Sequence, residues 1–164
     1  MGEADLEQLV AALQDPEIPR FTTIPHPYGA EEARHWQRMA DSGLETGTDL
    51  PTLIVDADGD RLLGAVGIHG LSPETGRCSA GYWVAADARG QGVATRALRL
   101  LCGFALESMR VARIELWIDP QNIASLRVAE RVGFAREGLL RSFMQIGGKR
   151  RDMLMYSLLP GELR

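Results

Sequence analysis

The chain has 164 residues, a formal net charge of −4 and a pI near 5.4. That length suits one domain, residues 1–164, with a core that needs neither disulfide nor metal, and the acidic balance argues against a general binder of nucleic acid or of membrane surfaces. Cys78 and Cys102 lie in apolar runs without C-x-x-C spacing, His26, His35 and His69 are scattered, the opening Met1–Asp5 is acidic, and no apolar run nears the ~20 residues of a membrane span. Buried thiols, no metal site and a cytoplasmic protein are therefore expected.

Leu6, Leu9, Val10 and Leu13 recur at helical spacing after Asp5, so residues 5–14 read as a helix. Four prolines, Pro16, Pro19, Pro25 and Pro27, stiffen an expected loop over 15–29. Ala33, Trp36, Met39 and Ala40 then suggest a second short helix ending near Gly43. Residues 52–56 and 61–68 form a hairpin around Asp56-Ala57-Asp58-Gly59-Asp60, and 76–85 a further strand. A helix over about 92–109 turns Val93, Ala97, Leu100, Leu101 and Phe104 inward. From Arg113 to Asp119 the chain alternates cleanly, with Ile114, Leu116 and Ile118 on one face and Arg113, Glu115, Trp117 and Asp119 on the other. Residues 122–132 read as a helix stopped by Gly133, and 138–146 and 151–159 as strands paired across Gly147-Gly148-Lys149-Arg150.

The stretch that carries chemistry is Arg89-Gly90-Gln91-Gly92-Val93-Ala94, set between a strand and a long helix. Glycines let a phosphate approach the backbone, the helix start offers unpaired N–H groups and the positive end of its dipole, and Arg89 adds a mobile cationic cover. A dinucleotide loop would need glycine at position 95, which is Thr95, and a P-loop would need G-K-[ST], which is absent. The pattern [Q/R]-x-x-G-x-[G/A] is satisfied by Arg89, Gly92 and Ala94.

In that loop the chain resembles the GNAT acyl-CoA N-acyltransferases. The likeness continues through Gly81-Tyr82-Trp83, through Leu116-Trp117-Ile118-Asp119-Pro120-Gln121-Asn122-Ile123-Ala124-Ser125, through Ala129-Glu130-Arg131-Val132-Gly133-Phe134, and through Arg151-Asp152 with Tyr156-Ser157-Leu158. These segments are similar to the RimJ/RimL-like branch, the ribosomal-protein N-terminal acetyltransferases. The resemblance implies an α+β fold: a mixed, mostly antiparallel sheet with a central splayed parallel strand pair, flanked by helices. It also implies acetyl-CoA as cofactor, contacted by Trp83, Val84, Arg89, Gly90, Gln91, Gly92, Val93, Ala94, Thr95, Asn122 and Ser125. Relatives begin with an edge strand that has no counterpart before residue 5, so an exposed edge and a tendency to homodimerise are expected.

Amine attack on a thioester needs a neutral nucleophile, stabilisation of the oxyanion and a proton for the departing thiolate. The family's splayed strand offers a backbone N–H that falls near Val84, a kind of donor able to contribute about 3 kcal/mol. The family tyrosine seven residues after Asn122 is replaced by Ala129, which leaves Ser125 as the proton donor implied by RimJ/RimL-like relatives. Ser125 also reads as a helix-start residue, and Asn122 either as a partner of pantetheine amides or as an N-cap. The general base is open. Relatives often carry an acid just before the Gly-Tyr pair where this chain has Ser79-Ala80, and Glu115, Asp119 and His69 each read more readily as solvated or structural groups than as a base. Trp83 and Tyr28 are candidates to wall the acceptor cleft.

An α-amine with pKa ~8 is roughly a tenth neutral at pH 7, a lysine less than a thousandth, so a weak base favours an N-terminal acceptor such as a ribosomal protein or peptide. A small-molecule amine, received by an acidic cleft built from Glu31, Glu32, Asp41 and Glu45, is the rival acceptor. Another acyl group, or a module that senses acyl-CoA without transferring it, stands beside these readings.

Overall fold

In a computed structural model, residues 2–59 and 61–164 are described; Met1 and Asp60, the last residue of the expected hairpin turn, lie outside them. The first helix, α1 (Glu3–Ala12), starts earlier than its apolar pattern suggests. Asp5 is not its N-cap: it occupies the third helical position and its carboxylate accepts from the Gly2 N–H at 2.8 Å. The proline-rich segment is only partly a loop. It holds a short helix, α2 (Glu17–Phe21), whose entry is set by Asp15 accepting from the Glu17 N–H at 3.0 Å, and Pro19 is tolerated because it falls within the first turn. The next helix, α3 (Ala30–Thr46), runs through Gly43 and stops at Gly47 in the left-handed region (φ 70°). Gly43 is kept for packing, because a Cβ there would meet Asp49 Cβ at 2.6 Å.

Six strands follow in one sheet, ordered β1-β2-β3-β4-β6-β5: β1 (Leu50–Val55), β2 (Leu62–Ser72), β3 (Arg77–Val84), β4 (Arg113–Ile118), β5 (Ala135–Ile146) and β6 (Lys149–Leu158). All neighbours are antiparallel except β3 and β4. Strand β5 starts three residues before the expected boundary, at Ala135, because pairing with Ser157 extends the ladder past the polar Arg136-Glu137. This is the expected mixed sheet with one parallel pair, and β1 stands at its edge.

Two apolar clusters sit on the sheet. The larger buries Ile114, Leu116 and Ile118 of β4 against α4 (Val93–Glu107) and α5 (Ile123–Val132), as the alternation of β4 predicts. The inward stripe of α4 differs from expectation: Leu98, Leu101, Cys102 and Ala105 are buried, whereas Leu100 and Phe104 are 75% and 50% exposed. Spacings of three, four and seven from Leu98 define that face, and Leu100 falls outside it. Each fully buried aliphatic side chain here is worth about 1.5–3 kcal/mol. The smaller cluster gathers Leu9, Leu13, Ile18, Tyr28 and Ala33 with Leu62, so α1, α2 and α3 pack together beside β1–β3, with Trp83 against them. Both thiols are buried and free, and burial is the main cause that raises Cys78 to about 11 and Cys102 to about 12.

Candidate active site

The parallel pair is short. β3 and β4 are in register only at Arg77–Arg113, Cys78–Ile114 and Ser79–Glu115, after which the strands diverge. Beyond that seam, Ala80–Val84 face a wedge instead of a neighbouring strand, so a sheet interior ends in a groove of about 470 Å³. One wall is β3, the other the start of α5, and the far end is the start of α4.

At that far end Gly90 and Gly92 both adopt left-handed backbone, with φ 75° and 76°. Among the described residues nothing lies within 4 Å of the position a Cβ would take on Gly90, and none caps α4 with a side chain. A loop with open space over Gly90 and an uncapped helix start is an anion cradle. Its surroundings are cationic although the chain is acidic: Arg89, Arg127 and Arg131 line the groove, against Glu17 alone among the described acids.

Of the residues expected here, Trp83, Val84, Arg89, Gly90, Gly92, Val93, Ala94, Thr95, Asn122 and Ser125 all line the groove. Gln91 does not: its side chain turns back to donate to the Asp87 carbonyl at 2.9 Å. Arg89 is not a mobile cover. Its Nε donates to the Val84 carbonyl at 3.0 Å and its Nη2 pairs with the half-buried Asp15 at 2.5 Å. Asn122 is the N-cap of α5, its Oδ1 accepting from the Ser125 N–H at 3.1 Å. Its Nδ2 has no partner among the described residues.

Ser125 therefore spends its backbone N–H on the cap and keeps its hydroxyl for another partner. That hydroxyl lies 2.6 Å from the Tyr82 hydroxyl, across the wedge from β3. Burial pushes Tyr82 up to about 12, against the lowering effect of the Ser125 hydrogen bond and with a small further rise from Cys102. Tyr82 thus stays protonated at neutral pH and can donate to Ser125. This pairing is not legible in the sequence. Its only local signal was the period-two alternation that puts Tyr82 on the same side of β3 as the buried Cys78 and Ala80.

On the other face of the sheet, the two carboxylates considered as bases are held by arginines. Glu115 Oε1 accepts from Arg77 at 2.6 Å and from Arg113 at 2.8 Å. Burial alone would raise Glu115, but these two guanidinium groups outweigh it and hold the carboxyl below its ordinary range. Asp119 accepts from Arg151 at 2.9 Å and from the Gln121 N–H at 2.8 Å. Among the described residues His69 has no such cation; its Nδ1 lies 3.3 Å from Asp49 Oδ1. Beside Trp83, a mixed cavity of about 520 Å³ opens between α1 and α3, lined also by Tyr28, His35, Trp36 and Arg38. Glu31 and Glu32 reach its wall, while Asp41 and Glu45 do not.

Residues 1–135 match the family model described as an acetyltransferase (GNAT) domain. The N-acetyltransferase p20 of Bacillus licheniformis, itself uncharacterized, is 30% identical over 159 residues, which are 96% of this chain and 89% of that protein. This chain belongs to the GNAT acetyltransferase family. A second GNAT-type relative, YdaF of Bacillus subtilis strain 168, provisionally named a ribosomal N-acetyltransferase, is 33% identical over 129 residues, 77% of this chain and 66% of its own length. The fold matches that of Mycobacterium smegmatis RimJ in complex with CoA-disulfide, with a TM-score of 0.84 at 24% identity, over 98% of this chain and 79% of that one. The mixed sheet with its one parallel pair is thus the fold of a GNAT acetyltransferase.

Proposed function

We propose that this acetyltransferase moves the acetyl group of acetyl-CoA to the α-amine of a protein or peptide N-terminus, by direct attack in a ternary complex. The observation that carries the reading is the continuity of the groove, from the anion cradle at Gly90–Thr95 along β3 to the Tyr82–Ser125 pair. The cofactor's pyrophosphate fits that cradle, and when bound acetyl-CoA supplies an activated acyl thioester. Arg127 and Arg131 add positive charge for the phosphates, and Asn122 offers its Nδ2 to the pantetheine arm. The β3 backbone around Val84 supplies an N–H for the developing oxyanion. With Tyr82 donating to its oxygen, Ser125 turns its own proton toward the departing sulfur.

Because Glu115 and Asp119 are tied to arginines, the site favours an acceptor that loses its proton easily. An α-amine is neutral a few hundredfold more often than a lysine at pH 7, roughly 10^2.4 from their ordinary pKa values. The name of the Bacillus subtilis relative supports a ribosomal acceptor, and a cytoplasmic reaction goes with that reading. One observation favours a second reading: Glu31 and Glu32 at the cavity beside Trp83 suit a small cationic amine.

The test is CoA release from acetyl-CoA with peptides beginning in Ala or Ser, free lysine, polyamines and aminoglycosides, together with calorimetric binding of CoA. Turnover on the peptides is expected. Turnover on small amines alone moves the function to metabolite acylation, and binding without turnover on any acceptor makes the chain a sensor.

A further inference from the structure

The reaction proposed above needs a place for the proton that leaves the amine, and the two acids nearest the seam are engaged by arginines. A third group sits over the seam. His69 ends the regular part of β2 and faces Ser79 of β3. Its ring lies across two glycines that also face each other, Gly67 and Gly81. A Cβ on Gly67 would stand 3.3 Å from the ring, and one on Gly81 3.6 Å from Nε2. Gly81 precedes Tyr82 and lies two residues past the last β3–β4 pair, at the point where the wedge opens. The imidazole thus occupies room that any larger side chain would take, on the face opposite the Tyr82–Ser125 bridge.

Its orientation is fixed by Asp49, in the turn between α3 and β1. Asp49 Oδ1 faces His69 Nδ1 at 3.3 Å and the Gly70 N–H at 3.4 Å, and Asp49 Oδ2 accepts from the Thr48 hydroxyl at 2.8 Å. A proton held on Nδ1 by that carboxylate leaves the lone pair on Nε2. The side chain is 50% exposed, so solvent and an acceptor can reach it. His69, Ser79 and Trp117 share a groove of about 340 Å³ with three further titratable or charged groups, Arg77, Cys78 and Glu115. Glu115 is neutralised by its arginines, so Asp49 is the only anion in direct contact with the ring among the described residues.

The geometry points to His69, oriented by Asp49, as the general base of the transfer. The N–C bond forms as the C–S bond breaks. The amine's proton passes to His69 Nε2, directly or through one water, and the sulfur takes its proton from Ser125. This role rests on the transferase reading above.

The experiment compares wild type, His69→Ala, His69→Gln and Asp49→Asn with an N-terminal Ala or Ser peptide that the wild type acetylates. At pH 7, His69→Ala and His69→Gln are expected to lose about 100-fold in kcat/KM, and Asp49→Asn about tenfold, with CoA affinity by calorimetry unchanged. Added imidazole restores turnover to His69→Ala, and the deficit shrinks at least tenfold at pH 9.5, where the acceptor is already neutral. In wild type, the imidazole NMR signals that are absent from His69→Ala shift when the peptide is added with CoA, without any reaction taking place. Retention of more than half the wild-type kcat/KM in His69→Ala overturns this role alone. So does a loss that neither imidazole nor high pH relieves, or a His69 signal indifferent to peptide. A wild type that acetylates no amine overturns the transferase reading, and this role with it.

Discussion

At the level of single residues, the hydroxyl pair across the wedge makes the sharpest claim. If Ser125 donates to the departing sulfur, Ser125→Ala lowers kcat about 100-fold and leaves CoA affinity within threefold, because its backbone N–H still feeds the Asn122 cap. Tyr82→Phe removes the group that orients Ser125 and lowers kcat about tenfold in the same assay. Asn122→Ala acts through two routes at once, since losing the cap costs about 1 kcal/mol. Its effect on CoA binding is therefore read beside the melting temperature. These three variants separate chemistry, orientation and helix start. The loop glycines and Ser125 were legible in the sequence because each belongs to a local pattern. The Tyr82 and Asp49 partnerships were not, because they depend on strand register and on a turn twenty residues away.

Among the elements, the two ends of the helices that flank the groove are the most demanding. Gly92 takes up φ 76° immediately before α4, and the position of its missing Cβ is 3.1 Å from Arg96 Nη1. Gly92→Ala is expected to cost about 1 kcal/mol of stability from the left-handed backbone alone. It should also weaken CoA binding at least tenfold by calorimetry, as the cradle narrows. Gly133 closes α5 at φ 110°, and a Cβ there would come within 2.3 Å of the Glu162 carbonyl oxygen. Gly133→Ala therefore displaces the tail that returns from Arg164 to Val132. A loss of more than 2 kcal/mol in urea unfolding, with little change in CoA affinity per folded molecule, is the expected result. Helix stops and strand alternation were readable from residue spacing. Helix α2 was hidden because four prolines outweigh any local pattern, and its stability comes from Ile18 buried against α1 and α3.

For the whole molecule, charge sets the response to pH. Arg77, Arg113, Glu115, Glu137 and Ser157 form one network that crosses β3, β4, β5 and β6. The hydrogen bond from Arg113 is the main cause that lowers Glu137 to about 2, and the two arginines hold Glu115 below its ordinary range. A carboxylate with a depressed folded-state pKa contributes stability above its unfolded value. That contribution is lost as pH falls toward the folded one. Urea midpoints are thus expected to hold down to about pH 4.5 and to fall between there and about pH 2. Glu115→Gln flattens that slope and costs about 1–2 kcal/mol at pH 7, discounted because Arg77 is more than half exposed.

The three-pair seam between β3 and β4 also has a mechanical meaning. The sheet is two plates, each laddered over a longer run than the three residues that clasp them, and backed on one side by the cluster under α4 and α5. Stiffness resides in the plates and compliance in the clasp. A tether pulling residues 55 and 146 apart would load the clasp before either plate, so the mouth of the groove is the first part of the sheet to yield under force.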